Sequence, residues 1–264
     1  MADYILIRKT RNAASSAVHI LLNLLFGVGS VMITALTSNP ALGLLLVALS
    51  KWRVFAVRPR YIWTNFKANL LDFIVGASIV LLVYFFGIGS NDILLVDIFM
   101  AAFYCVWLIG IKPMTSERAT LIQAMIAVFL GSSAASIAAA STDAIVLVIA
   151  EFIIGYSACR HILSQQNDEP TVFATLVMGL IFAEIAWLCH TWLIIYPYLS
   201  LGVRIPQLAI ILAIFTFVFS SVRREIFLRE DEFKFSHVAM PVIFGVVMIA
   251  VILIWLSNPA FNIN

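Results

Sequence analysis

The chain has 264 residues, of which 63% are hydrophobic and 11% are charged, and its mean hydropathy is +1.06. Soluble domains carry roughly 25% charged residues, so this composition excludes a water-soluble globular protein and predicts an integral membrane protein. The formal net charge of +2 is too small to indicate a class of partner, and the positions of the charges are more informative than their sum.

Nine apolar stretches follow one another along the chain. A membrane-spanning helix needs about 20 consecutive, predominantly apolar residues. The second stretch is the poorest in apolar residues, so we expect a short or tilted helix there. We predict an all-α, polytopic transmembrane bundle without a sizeable soluble domain, in which residues 1–264 form one membrane domain. The predicted spans are about 13–36, 39–56, 68–88, 92–111, 118–140, 143–162, 171–196, 205–222 and 238–257.

Lysine and arginine residues fall almost entirely in alternate connecting segments. Fifteen of the sixteen lie where nine spans would place them on one side of the membrane, and only Arg204 lies on the other side. Cytoplasmic loops of membrane proteins are enriched in lysine and arginine. We therefore predict a multi-pass protein of the cell membrane with a cytoplasmic N-terminus and an extracytoplasmic C-terminus.

Two longer connecting segments on the predicted cytoplasmic side, 51–69 and 221–237, mix basic and aromatic residues. This composition is typical of segments that lie among lipid headgroups, where long basic side chains reach the phosphates. Membrane lipids are therefore the first partners that we expect. A docking site for a cytoplasmic protein is the alternative interpretation of both segments.

The fifth span contains closely spaced small residues in "LGSSAASIAAAS" (130–141). Small side chains let neighbouring helices approach, so we expect this span at the centre of the bundle. The three cysteines lie within spans without metal-binding spacing, and no phosphate-binding loop or hydrolase motif occurs. We expect no metal, no cofactor and no nucleic-acid partner.

Four ionisable side chains lie within the predicted spans. Glu184 is in the middle of the seventh span, Glu151 near the middle of the sixth, Asp97 in the outer third of the fourth, and His190 toward the outer end of the seventh. A central acidic residue costs up to about 3 kcal/mol of insertion free energy. The surrounding Leu, Ile, Val and Phe residues each return about 0.3–0.6 kcal/mol, so the seventh span still inserts.

Neither central glutamate has an evident cationic partner, because no lysine or arginine lies well inside a predicted span. An unpaired carboxylate in a medium of low dielectric constant becomes neutral. We therefore predict that Glu184 faces the protein interior close to Glu151, and that both are neutral near pH 7 unless water reaches them. A carboxyl group that donates a hydrogen bond between helices is the purely structural alternative.

A stripe of polar residues precedes and opens the third span, in "RPRYIWTNFKANLLDFIVG" (58–76). If a helix begins soon after Pro59, most of the stripe shares one face, because residues three and four apart are neighbours on a helix. Such a face could bind a lipid headgroup or a polar substrate, or could satisfy neighbouring helix ends. The residues are Arg58, Tyr61, Asn65, Asn69 and Asp72.

Glu184 followed by Trp187, near a span that ends in Pro197, supports one resemblance together with the overall pattern of spans. The chain resembles the uncharacterised multi-span membrane proteins that are common in candidate-phyla bacteria with reduced genomes. The resemblance covers much of the chain, has no diagnostic motif and implies no role for any residue.

Three functions are compatible with these observations. A small-molecule or proton-coupled transporter predicts a hydrated cavity at Glu151 and Glu184. A structural or assembly subunit predicts that these acids are dry, with a lateral apolar face that binds another membrane protein or a second copy of the chain. An enzyme acting on a lipid-linked substrate predicts polar residues converging at one interface, and it is the least favoured because no pair of nucleophile and base is recognisable.

Overall fold

The computed structural model describes residues 2–52, 58–87, 93–164, 171–192, 194–198, 203–228 and 235–255. Within these residues the chain forms a helical bundle with one β-hairpin. The elements are α1 (Ala2–Thr37), α2 (Pro40–Ser50), α3 (Pro59–Gly87), α4 (Ile93–Val106) with its π-helical continuation Trp107–Ile111, α5 (Glu117–Ala139), α6 (Ala144–Leu163), α7 (Thr171–His190), β1 (Ile195–Tyr198), β2 (Val203–Pro206), α8 (Gln207–Leu228) and α9 (Phe235–Trp255).

Six helices in the described part of the chain are long and apolar enough to cross a membrane: α1 and α3 to α7. The apolar parts of α2 and α9 are shorter, at Pro40–Ser50 and Val238–Ile254. The all-α class and the membrane-compatible character are therefore confirmed. The count of nine spans stays a prediction.

Short polar residues determine where several helices begin. The side chain of Asn39 accepts a hydrogen bond from the backbone N–H of Ala41, and Pro40 occupies the first turn of α2. Ser116 caps α5 in the same way. These are the residue types that satisfy the free N–H groups of a helix start. Ser38, with a φ of 48°, makes the tight turn between α1 and α2.

The fifth predicted span lies at the centre of the bundle, as its small residues indicate. Helix α5 packs against α3, α6, α8 and β2, and most of its residues are buried. One hydrophobic cluster joins α5 to α3 and α4, with Ile79 and Tyr104 fully buried. A second cluster joins α5 to α6, α7 and α8, with Phe182 and Leu212 fully buried.

The predicted seventh span, 171–196, is wrong at its C-terminal end. Helix α7 ends at His190, and the chain then enters an antiparallel hairpin in which Tyr196 pairs with Ile205. Tyrosine, isoleucine and valine favour strands, and Pro197 cannot continue a helix. Apolarity alone does not distinguish a buried strand from a helix, so the sequence pattern merged the strand with the span.

The bundle has two ends. At the basic end, α2, α4 and α6 finish, α3 and α5 start, and Lys51, Lys112 and Arg118 occur. At the hairpin end, Ile195 and Val203 pack on the cluster formed by α3, α4 and α5. Sequence patterns do not predict which polar groups come together at either end.

Candidate functional site

A buried ionic cluster surrounds Asp72, which lies on α3 toward the basic end. The ammonium group of Lys51, which directly follows α2, donates to Oδ2 of Asp72. Nζ of Lys112 lies 2.5 Å from the same oxygen, and Nε1 of Trp107 donates to Oδ1 at 3.0 Å. Asp72 and Lys51 are buried, whereas Lys112 is partly exposed. We call these four residues the Asp72 cluster, and its formal charge is +1.

The π-helical turn at the end of α4 brings Trp107 and Lys112 to the same carboxylate. Its defining hydrogen bond runs from the N–H of Lys112 to the carbonyl oxygen of Trp107, at 2.9 Å. In an α-helix, residues five apart point about 140° away from each other. The wider π turn brings them close to one face, and such turns occur frequently at functional sites.

Gln123 on α5 fixes the chain that follows this turn. Its Nε2 donates to the carbonyl oxygens of Ile111 at 2.6 Å and Met114 at 2.9 Å. Its Oε1 lies 2.7 Å from Nε2 of His161 on α6. The bonds from Gln123 Nε2 satisfy carbonyl groups that a helix end leaves free. Together with the Asp72 cluster, they give a series of polar contacts at the basic end that runs from the end of α2 to α6.

The sequence indicated Asp72 but not its partners. Lys51 lies in the C-terminal part of the predicted second span, Lys112 directly follows the fourth, and Asp72 lies just inside the third. Lysine side chains at span ends extend along apolar surfaces to reach a polar group. All three charged residues lie near the same end of consecutive spans, and this was the signal that could have indicated an ion pair. It does not show which helices pack against each other.

The other polar-stripe residues do not join Asp72 in one binding surface. Arg58 precedes α3. Tyr61 is exposed and accepts a hydrogen bond at 2.5 Å from Arg60, whose guanidinium also lies 4.5 Å from the ring centroid. Asn69 donates at 2.9 Å to the backbone oxygen of Asn65, one turn earlier. Tyr61 and Asn69 thus bond to near neighbours in the chain, and the contacts to distant segments in this stripe are those of Asp72.

Glu151 on α6 is fully buried. Its Oε2 accepts a hydrogen bond at 2.8 Å from the hydroxyl of Ser132 on α5. Among the described residues, its Oε1 and the buried hydroxyls of Ser133 and Ser136 have no hydrogen-bond partner. A hydrogen bond between adjacent helices is what a structural role for this acid predicts.

Glu184 is exposed, so the prediction that it faces the interior is wrong. The face of α7 that packs on α6 contains Met178, Phe182 and Ala186, which are fully or almost fully buried. Successive helix residues are 100° apart, so Glu184 points about 160° away from Phe182 and from Ala186. Glu151 is buried and bonded to α5, whereas Glu184 lies on the side of α7 that faces away from α6.

Large apolar residues surround Glu184 on the same exposed face. Residues three, four, eight and eleven positions away share its side of the helix. Trp187 is 64% exposed, and Trp192, just after the helix, is 77% exposed. We call this surface the α7 face, and its other exposed members are Phe173, Leu176, Leu180 and Leu188.

Asp97 and His190 lie apart from these groups. Asp97 is half-buried and borders an apolar groove of about 640 Å³ between α1 and α4, beside Met32 and Leu36. His190 is the last residue of α7 and is partly exposed. Neither forms a hydrogen bond or an ion pair with the residues that the structure describes.

Cysteine, histidine and acidic side chains do not converge on a metal-sized site within the described ranges. Cys105, Cys159 and Cys189 are free thiols. Comparison of the chain with protein-family models, curated proteins and solved structures finds no match. Relatives therefore assign no role to the Asp72 cluster, to Glu151 or to Glu184.

Proposed function

We propose that the chain is a multi-span subunit of a membrane protein complex, inserted as a single membrane domain, and that it binds its partner through the α7 face. The observation that carries this proposal is the exposed carboxyl group of Glu184 within a helix apolar enough to cross a membrane. Lipid offers this carboxyl group no hydrogen-bond donor. A partner helix that offers one removes much of the cost of burying it in the membrane.

The position of α7 supports this assignment. It packs mainly on α6, and its opposite side is exposed in the part of the chain that the structure describes. Trp187 and Leu188 lie within one turn of Glu184, and buried tryptophans with an adjacent polar group are common at the centres of strong interfaces. The partner that fits is a transmembrane helix with a lysine, arginine or amide side chain at the depth of Glu184.

A second copy of the chain fits less well. Oligomers of identical chains commonly use two-fold interfaces in which the same patch meets itself. Such an interface would bring Glu184 against Glu184, and this pair can share a hydrogen bond only while at least one carboxyl group is protonated, whereas a lysine, arginine or amide donor bonds the carboxyl group in either protonation state. A different chain that supplies a donor is therefore the partner we propose, and self-association is an outcome that the experiment distinguishes.

We expect Glu184→Leu to dissociate the complex, because it removes the acceptor while keeping the apolar face. Glu184→Gln retains an acceptor oxygen and should preserve part of the assembly. The measurement is the mass of the particle solubilised from the native membrane in mild detergent, by light scattering. Ile243→Leu is the control, because Ile243 is an exposed apolar residue on α9 and its substitution should leave the mass unchanged.

Two outcomes would contradict the proposed partner. A particle that contains one copy of the 29.2 kDa chain and no other protein, in the wild type and in Glu184→Leu alike, would rule out an assembly role. A particle made of two or more copies of this chain alone would replace the heteromeric partner with self-association.

A proton-coupled transporter is the second candidate, favoured by fully buried Glu151, whose Oε1 has no hydrogen-bond partner among the described residues. A carboxyl group that exchanges protons needs periodic access to water. Four cavities of the described part are bordered by other residues, and neither Glu151 nor Glu184 lines any of them. The assembly role therefore has more support than transport. The stripe residues do not converge on one site with Asp72, which leaves an enzyme with the least support.

We propose a cell-membrane location with the basic end in the cytoplasm, the N-terminus inside and the C-terminus outside, on the distribution of basic residues. A reporter fused after Asn264, beyond the described residues, should report the outer side. A reporter inserted after Thr115, in the connection between α4 and α5, should report the cytoplasm. The same side for both fusions would show that the number of spans between them is even rather than odd.

A further inference from the structure

An apolar cavity of about 510 Å³ opens at the hairpin end of the bundle, between α3, α4, α5 and α8. Phenylalanine and methionine side chains form much of its wall, among them Phe86, Phe99, Phe129 and Met125. This volume is within the range of about 300–1,000 Å³ that is typical of sites for a bound small molecule. Methionine side chains adapt their shape to a flexible apolar ligand.

The cavity extends beside α5 toward the hairpin end of the bundle. Its deepest contact on α5 is Met125, fourteen residues before the last residue of that helix, Ala139. The cavity's contacts on α5 run from Met125 to Ser133, about 12 Å along the helix axis, compared with about 15 Å for half of the hydrocarbon core of a bilayer. Residues of β2 border the other end. The shape therefore fits a hydrocarbon chain that runs inward from one membrane surface.

Arg204 marks the mouth of the cavity. It lies in β2, borders the cavity and is exposed, and it has no ion pair with any side chain in the described part of the chain. It is also the single exception to the basic-residue asymmetry of the sequence. A guanidinium group binds phosphate oxygens through paired, charge-assisted hydrogen bonds.

We propose that this cavity binds one acyl chain of an anionic phospholipid, with the lipid phosphate on Arg204. The hydrocarbon of the bilayer is as apolar as a cavity wall of leucine and phenylalanine. The wall therefore accepts any acyl chain that fits its shape and gives little preference among lipids. Zwitterionic phospholipids carry the same phosphate beside an ammonium group that repels the Arg204 guanidinium, so the charge at the mouth favours headgroups with a net negative charge. The site lies on β2 and its neighbouring helices rather than on the α7 face, and it does not depend on the assembly role.

The test uses the purified full chain with phosphatidylglycerol or phosphatidylcholine of identical acyl chains, each with a photoreactive diazirine at one chain end. We expect phosphatidylglycerol to label the cavity-lining peptides of α4 and α5 with half-saturation at about fivefold lower concentration than phosphatidylcholine, the size expected for one basic residue beside a net negative headgroup. Arg204→Gln should abolish this preference. Arg118→Gln, an exposed arginine at the basic end, is the control and should retain it.

A second variant tests the cavity itself. Ala213 of α8 lines the cavity, and Ala213→Phe fills it without changing any charge, so labelling of its walls should be lost with both lipids. Thermal unfolding in detergent shows whether Ala213→Phe has folded. If it has not, the proposal is tested by Arg204→Gln, which changes only an exposed side chain. Equal labelling by the two lipids in the wild type, or labelling spread evenly over all exposed helices, would overturn the proposal and show ordinary surrounding lipid only.

Discussion

Asp72→Asn is expected to destabilise the folded chain by about 3–5 kcal/mol, the range measured when one partner of a buried ion pair is removed. The substitution keeps the size of the side chain but leaves the buried ammonium of Lys51 without a compensating charge, beside the second ammonium of Lys112. Thermal or denaturant unfolding in detergent micelles, followed by circular dichroism, measures the change.

Asp97→Asn is the matched control, because Asp97 is a half-buried aspartate of α4 outside the Asp72 cluster. It should change stability by less than about 0.5 kcal/mol, as is usual for substitutions away from packed or paired groups. The double variant Lys51→Met, Asp72→Leu should recover much of the lost stability, because it removes the uncompensated charge. Equal stability of Asp72→Asn and Asp97→Asn would show that the cluster does not hold the basic end together.

Gly155→Ala is expected to destabilise the contact between α6 and α7. A Cβ atom at Gly155 would lie 2.6 Å from Cγ and 2.8 Å from Cβ of Phe182. The Cβ of Phe182 is tied to the backbone of α7, so the clash moves the helix rather than a side-chain end. Overpacking of this kind costs about 1–3 kcal/mol, which exceeds the gain of up to about 1 kcal/mol from replacing glycine within a helix.

Gly29→Ala on α1 provides the comparison, since a Cβ atom there would meet its nearest neighbour, on Leu46, at an ordinary 3.9 Å. This variant should gain stability from helix propensity alone. The unfolding midpoints of both variants in the same detergent give the contrast. A gain of stability in Gly155→Ala would mean that α6 and α7 separate easily, and would weaken the assignment of the α7 face as the free surface.

Several features of the fold follow from sequence alone because their causes are local. The long apolar runs place the helices, since a span must satisfy its own backbone hydrogen bonds within the membrane. Asn39 and Ser116 start two of them through bonds to nearby N–H groups. The small residues 130–141 place α5 at the centre, because close approach of several helices depends directly on side-chain size.

The position of Glu184 was partly predictable. The cost of exposing a carboxyl group to lipid suggested the interior. The small residues Gly179, Ala183 and Ala186 recur at helical spacing on the opposite side, where close packing against α6 is possible. Packing along the whole helix outweighs the preference of one side chain, so the periodicity of small residues was the better guide.

Tertiary structure alone decided the Asp72 cluster, the hairpin and the apolar cavity. Lys51, Asp72 and Lys112 lie in three segments of the chain, and only the arrangement of α2, α3 and α4 brings their charges to one point. The strand of Tyr196 forms because Ile205 pairs with it across the hairpin, although its composition also suits a helix end. Sequence determines the apolarity of the long helices and the capped starts of α2 and α5 through contacts within a few residues. Which faces meet, and therefore which polar groups are buried together, depends on free energies summed over helices that are distant in the chain.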